Sequence, residues 1–515
     1  MSARYDIAVV GGGHNGLVCA AFLAKAGRRV IVLEAAGELG GAARNATIAP
    51  GYTVPALAHV LHLLHPKVRR DLDLKKHGLR LAARNLPTVA LGAGGNRTIV
   101  GGMVDGPDAA AWKTLHRRLV RLAGALRPFL GRVPPRLGTA DWGDRLELAR
   151  LGLSLRRLGA RDMREFLRIV NSNVFDLLGD ELSDDVLKGA LAFDAVLGSN
   201  FGPRSPGSVL TWLYRLAGET GQGDGLAIPQ GGMAAVARAL EGACTAAGVT
   251  IRTGARVRRI LIEDDRTSGV ELNSGETIAA GAVVSGADPR TTFLNLVDAA
   301  HLDTGFIRRI RGIRSNGLAA KVNLALDGLP DFTGLDKAAL GGRIVIAPDM
   351  AHIERAFDHS KYGEYSAEPA VEITIPTIHD PGLAPAGGHV LSAVVQYAPA
   401  NLKGGWDAAR DAFGDLVVRT IEAHAPGLSS RIVARQVLTP VDIERDFGIA
   451  GGHWHHGDLA VDRMFMLRPV QGFAQYETPV PGLYLCGAGA HPGGGVMGAA
   501  GMNAAGRILA KEKSA

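Results

Sequence analysis

Residues 5–35 read YDIAVVGGGHNGLVCAAFLAKAGRRVIVLEA, and their order decides the fold. Residues 5–10 form an apolar run, the pattern of a strand buried on both faces of a parallel sheet. Gly11, Gly13 and Gly16 then supply G-x-G-x-x-G, Leu17 to Ala26 reads as a small-residue helix, and Gly27 would end it. Val30 to Leu33 is a second strand, delivering Glu34 at its C-terminal end. Gly11 permits the tight turn, Gly13 lets the backbone approach a pyrophosphate, and Gly16 lets helix and strand pack closely. The helix N-terminus offers unpaired N–H groups and partial positive charge to phosphates. Glu34 stands where an acid accepts hydrogen bonds from ribose hydroxyls, and its charge disfavours the 2′-phosphate of NADP. A bare glycine motif is weak evidence, whereas strand, loop, helix, strand and acid in this order predict a dinucleotide site.

The rest of the composition sets bounds. A chain of 515 residues predicts two or more domains, and 47% hydrophobic with 21% charged residues is ordinary for a soluble globular protein. Sixty-nine glycines suit several close backbone approaches. The net charge of +7 favours anionic cofactors or surfaces, but no basic tail or nucleic-acid motif is found, so no nucleic-acid partner is expected. No apolar run reaches the ~18 residues of a membrane span. With the first strand starting near Tyr5, no targeting peptide is expected, and a cytoplasmic location is the expectation. Cys19, Cys244 and Cys486 are scattered singly, so their spacing supports neither a redox dithiol nor a zinc site, and no metal is expected.

Which dinucleotide is held is decided by two further stretches. AAGELGGAARN at 35–45 places Gly40, Gly41 and Arg44 shortly after the acid, which resembles the extended motif of the glutathione-reductase-type FAD fold. Ala42 stands where that motif commonly has its arginine, leaving Arg44 as a candidate for the pyrophosphate or as an ordinary surface residue. At the far end, PVPGLYLCGAGAHPGGGVMGAAGMNAAGRIL (479–509) reads as a strand, a glycine-rich loop at Gly487 and beyond, and a helix opening near Gly498. In flavoproteins of that type the last strand–loop–helix covers the flavin ring, so backbone N–H groups of Val496, Met497 and Gly498 are expected to face it. Many such proteins carry an acid just after the strand; here it is Ala488.

GGGHNG (11–16), VLHLLHPKVRRDLDLKKHGL (60–79), GLAIPQGGMAAVARAL (225–240), VVSGADP (283–289) and HPGGGVMGAAGMNAAG (491–506) together resemble the phytoene-dehydrogenase-like FAD oxidoreductases over essentially the whole length. Within them the chain is most similar to the pyridine nucleotide-disulfide oxidoreductase domain-containing branch. Disulfide reduction is not expected, because no dithiol is found and Gly92–Gly95 neither follows a good strand nor opens a helix.

The resemblance implies an α/β fold: a discontinuous glutathione-reductase-type, Rossmann-like FAD-binding domain (1–80, 226–310 and 466–515) with an α+β substrate domain (81–225 and 311–465). Residues 249–289 read as strands separated by Asp-Asp, Asn-Ser-Gly and Ala-Gly turns, and in the related fold the backbone of a residue such as Val257 holds the adenine. The helical pattern from Ala109 to Leu178 is arginine-rich, with leucines opposite the arginines. Two readings are open: a surface dipping into an anionic membrane, or a helix packed on its own core with a solvated basic face.

Hydride transfer to a flavin is often assisted by a nearby base. His491 is the candidate, because it lies in the loop expected against the flavin. His14 and Asn15 lie in the phosphate loop, where a His14 ring nitrogen could help bind phosphate. His59, His62 and His65 would face the substrate cavity or pack, and His453, His455 and His456 read as incidental rather than as a metal site. The function implied is an FAD-dependent oxidoreductase of dehydrogenase or desaturase type, oxidising an apolar or alicyclic small molecule, with oxygen, a quinone or another carrier as electron acceptor. The alternatives are a flavin amine oxidase and a flavoprotein with a mainly binding or regulatory role.

Overall fold

Tyr5–Val10 sits at the centre of a parallel layer, flanked by Val30–Leu33 on one side and Thr277–Ser285 on the other. The computed structural model describes residues 5–92, 94, 97–101, 103, 104, 106–219 and 225–513. Thr250–Arg252 extends the layer beyond Val30–Leu33, and Leu483–Leu485 joins parallel to Thr277–Ser285. The last strand of the chain is therefore two places from the first. Val257–Glu263 and Arg266–Leu272 add an antiparallel hairpin whose two-residue turn, Asp264–Asp265, has positive φ at both positions (48° and 57°), as the right-handed twist requires. Ala280–Gly281, expected as a turn, instead continues one strand, antiparallel to Arg266–Leu272 at Ala279 and parallel to Tyr5–Val10 from Ala280 onward.

The helix His14–Lys25 is buried along most of its length because its residues are small enough for sheet and helices to close on it from several sides. The C-terminal helix Ala499–Glu512 packs against it, and a Cβ on Gly501 would come within 2.0 Å of the Asn15 carbonyl oxygen. Head and tail of the chain thus meet at backbone contact.

A second sheet runs in the order Ile432–Leu438, Ala319–Leu326, His389–Gln396, Ala370–Thr374, Arg343–Ile346, Thr88–Leu91, Arg97–Gly101 and Met103–Val104. Thr88–Leu91 shows that a strand does lead into Gly92, contrary to expectation; the next strand is Arg97–Gly101, antiparallel to it, while Ala93 and Gly95 lie outside the described residues. The hairpin Asn45–Ala49/Tyr52–Pro55, expected with the first unit, is mounted on this second sheet: Tyr52 and Val54 pack on Ala325 and Val390, and the Tyr52 hydroxyl donates to the Leu326 carbonyl at 3.1 Å. Helices of residues 109–219 form the third part. Ala109–Leu130 buries Leu115, Leu119, Leu122 and Leu126 along one stripe, and Trp112 stacks on Trp212 at 6.5 Å.

Candidate active site

An elongated cavity starts at the glycine loop and ends between the second sheet and the helices. At its start Gly11 adopts φ 97°, a conformation that favours glycine, and a Cβ on Gly16 would lie 2.2 Å from the Gly11 carbonyl oxygen. A Cβ on Gly13 would meet nothing within 4 Å, since Gly13 faces the open cavity at the N-cap of His14–Lys25. First-turn N–H groups of that helix have no intrahelical acceptor and are available to an anion. Glu34 is held by two backbone donors, Gly12 N–H to Oε2 at 2.6 Å and Ala36 N–H to Oε1 at 2.8 Å, which fix its carboxylate at the cavity wall.

Asn15, Gly16, Gly41, Arg44, Val257 and Gly487 also line the cavity. Val257 is carried there by the Ala255 N–H, which donates to the Glu34 carbonyl at 2.8 Å. Arg44 is anchored rather than loose: it lies 4.6 Å from the Phe447 ring centroid and donates to the Asp446 carbonyl at 3.0 Å. A Cβ on Gly487 would be 2.4 Å from the Gly286 carbonyl oxygen, so the strand end and the 286–287 turn form one continuous floor. Open glycine, helix N-terminus, fixed acid and a groove leading under the tail loop form a cradle that fits an extended dinucleotide.

The tail loop departs from expectation residue by residue. Val496 lines the cavity. The Met497 N–H is already committed to the Gly495 carbonyl at 2.7 Å and its side chain is buried in the helical core, so Met497 shapes the loop and offers no free donor. Gly498 caps Ala499–Glu512 and faces inward, its Cβ position 3.0 Å from Val18 Cγ2. His491, the expected base, is corrected: it is fully buried off the cavity, where Nε2 donates to the Phe129 carbonyl at 2.8 Å. Its imidazole docks the loop onto the helix Ala109–Leu130. His14 is corrected too. It lines the cavity, but Nε2 donates to the Gly495 carbonyl at 3.1 Å, and burial lowers its pKa to about 4. It is a neutral clasp between head and tail loops, its one N–H given to Gly495 rather than to a phosphate.

His59 and His62 do reach the cavity, while His65 caps Pro66–Asp71 by accepting from the Lys67 N–H at 3.2 Å. His455 and His456 line the opposite wall, and His453 turns away to Asp458 at 2.9 Å. The chamber at this end also holds charges that sequence reading did not single out. Arg343 grips Asp194 through both terminal nitrogens (2.5 and 2.9 Å) and reaches Glu372 at 3.0 Å, while His59 Nε2 donates to the other Glu372 oxygen at 2.7 Å. Arg215 lies 3.5 Å from Asp194. Burial alone would raise the Glu372 carboxyl, but Arg343 and the His59 bond hold it well below the usual carboxylate range. Close by, Lys321 is completely buried and its Nζ has no hydrogen-bond partner among the described residues. Burial pushes it far below its ordinary pKa, offset only partly by Glu372. His62 makes no hydrogen bond among the described residues, and burial, aided by Arg215, keeps its ring neutral.

Arg468 braces the wall between chamber and tail loop. Its buried guanidinium donates to the carbonyls of Ala488, Asp458, Gly457, Arg463 and His455. A charged residue in an otherwise apolar strand was the available signal for two of the missed groups, Lys321 in AAKVNLAL and Glu372 in AVEIT. Arg468 lies in a loop and gave no such signal.

A dinucleotide cradle roofed by the chain's own tail and opening into a chamber between the second sheet and the helices defines an FAD-dependent oxidoreductase. The chain belongs to the flavin containing amine oxidoreductase family, whose model matches residues 16–509. It is 35% identical over 542 residues to pyridine nucleotide-disulfide oxidoreductase domain-containing protein 2 of Rattus norvegicus, covering 98% of this chain and 93% of that protein. It is 25% identical over 527 residues to a limonene dehydrogenase polypeptide of Castellaniella defragrans, covering 97% and 93%. Among solved structures, a putrescine oxidase shares the fold with a TM-score of 0.63 at 16% identity, covering both chains completely.

Proposed function

We propose that this chain removes a hydride from an apolar or alicyclic small molecule, using FAD held in a glutathione-reductase-type domain, with the substrate between the second sheet and the helices. The observation that carries the reading is the state of the chamber's charges. Asp194 and Glu372 are both occupied by Arg343, with Arg215 and His59 taking further positions, so the cluster is internally neutralised. An ammonium entering the chamber would lose its hydration and find no uncommitted carboxylate, which disfavours an amine. Leu63, Leu197, Val394 and Leu459 offer the remaining wall apolar contact.

Gly13, the helix N-terminus and Glu34 would hold the diphosphate and ribose, and Val257 the adenine. FAD, when bound, supplies the hydride acceptor and passes electrons to oxygen, a quinone or another carrier. His62 replaces His491 as the group that takes a proton, because its neutral, uncommitted imidazole faces the cavity. The test is anaerobic bleaching of the purified yellow protein against polyenes, alicyclic compounds and amines. Bleaching by amines alone would overturn the reading. Protein reduced by light that no acceptor reoxidises would favour a binding or regulatory role. His62→Gln should lower the rate of bleaching and flatten its pH profile, and an unchanged profile would remove His62 from the chemistry.

A further inference from the structure

The helix Trp142–Arg156 lies almost entirely outside the core: Asp144 is its only buried residue. Trp142, Leu146, Ala149 and Leu153 follow one another at i, i+4, i+7 and i+11, so they form one stripe, and all four are exposed, Trp142 to 80%. Leu137 before the helix and Leu167 after it are exposed as well. Five of the nine large hydrophobic side chains exposed among the described residues therefore fall within residues 137–167. Single exposed leucines need no explanation, but this concentration on a helix whose inward leucines, Leu148, Leu151 and Leu155, are only partly buried does.

Charge is concentrated in the same place. Residues 113–168 contain fourteen Lys and Arg against five Asp and Glu, a net charge of +9 where the whole chain carries +7. Arg156, Arg157 and Arg164 are exposed and form no ion pair among the described residues, and Arg161, also exposed, meets Glu165 only through space. No helix among the described residues is long and apolar enough to cross a membrane.

We propose that this face binds the surface of an anionic lipid bilayer. The Trp142–Leu153 stripe would insert at the level of the headgroups, and the flanking guanidiniums would pair with lipid phosphates or carboxylates. A tryptophan and leucines on one line, bordered by arginines that form no ion pair among the described residues, fit a surface that is apolar below and anionic above. The inference rests on the helix alone and is independent of the substrate reading.

The flavin-loaded full chain is tested by cosedimentation with vesicles of phosphatidylcholine alone and of phosphatidylcholine with phosphatidylserine. Binding is expected to the second only, to weaken with added salt, and to fall at least tenfold in the triple variant Trp142→Ser, Leu146→Ser, Leu153→Ser and in the double variant Arg156→Glu, Arg157→Glu. These positions are exposed, so the variants should keep the wild-type melting temperature and flavin content. Brominated lipid should quench fluorescence in the wild type and lose that quenching in Trp142→Phe. Equal binding of wild type and triple variant overturns the proposal. So does a wild type that ignores both vesicles, or one that self-associates through this face and becomes monomeric in the triple variant.

Discussion

Two alanine substitutions three residues apart should separate cofactor binding from folding. Gly13 has φ −68° and ψ 165°, which alanine adopts without strain, and a Cβ there meets no atom within 4 Å. Its effect on the flavin-free protein is the difference of two small terms. Restricting the unfolded chain contributes about 0.4–1 kcal/mol of stability. Replacing glycine by alanine at an N-cap costs a similar amount, so the net change should stay within ~0.5 kcal/mol. In the holoprotein the new methyl occupies the space a pyrophosphate needs. Overpacking of that kind costs about 1–3 kcal/mol, a loss of roughly 5- to 150-fold in FAD affinity. Gly16→Ala differs because its Cβ would be 2.2 Å from the Gly11 carbonyl oxygen, so helix and loop must separate by about 1 Å. It should lower the melting temperature of the apoprotein by several degrees as well as weaken FAD. The assay is flavin fluorescence titration of each apoprotein alongside its thermal midpoint. A Gly13→Ala protein that keeps wild-type FAD affinity, or that loses as much apoprotein stability as Gly16→Ala, would refute the reasoning.

The imidazoles of His59 and His491 are buried and that of His14 is partly so, and all three have pKa values lowered to about 4, below the ordinary 6.5. The unfolded chain therefore binds more protons below pH 6.5, and stability is lost as pH falls from 6.5 towards 4, by up to ~3 kcal/mol for each ring; a melting temperature flat between those limits would contradict this. Arg468→Met leaves five carbonyls without their donor and should destabilise the fold by at least ~3 kcal/mol while loosening FAD, read by thermal melts and flavin release. Lys321→Met removes a buried amine with no hydrogen-bond partner and should raise stability by about 1–3 kcal/mol, which a lowered thermal midpoint would disprove.

The first βαβ unit was legible because its signals are local: each glycine answers a constraint within a few residues of itself. The same holds for the helix starting after Gly498, whose glycine-rich approach is continuous in sequence. The chamber was less legible, because its polar groups come from distant segments: the contact between His59 and Glu372 alone spans 313 residues. His491 shows the complementary failure. It lies in the tail loop, but the direction of the ring is set by the Phe129 carbonyl, 362 residues away, and no local pattern encodes that partner. The hairpin at 45–55 falls within residues 1–80 of the expected FAD-binding domain, yet Tyr52 and Val54 find their complementary surface on Ala325 and Val390.

The clasp between head and tail loops gives cofactor binding a structural consequence. His14 bonds to Gly495, Leu63 lies where a Cβ on Gly495 would fall, and Tyr214 donates to the Gly494 carbonyl at 2.8 Å. The roof of the cavity is thus held at once by the first helix, the 57–65 segment and a helix of the third part. Its floor comes from Gly286–Ala287 and Gly487–Ala488. A ligand filling that space contacts elements spread over the entire chain, so its binding energy adds to the stability of the complete fold and to that of no separate part. Cofactor loss should therefore loosen the tail loop and the chamber together, because the neutral His14 clasp and the Tyr214 bond are the contacts through which one wall holds the other in place.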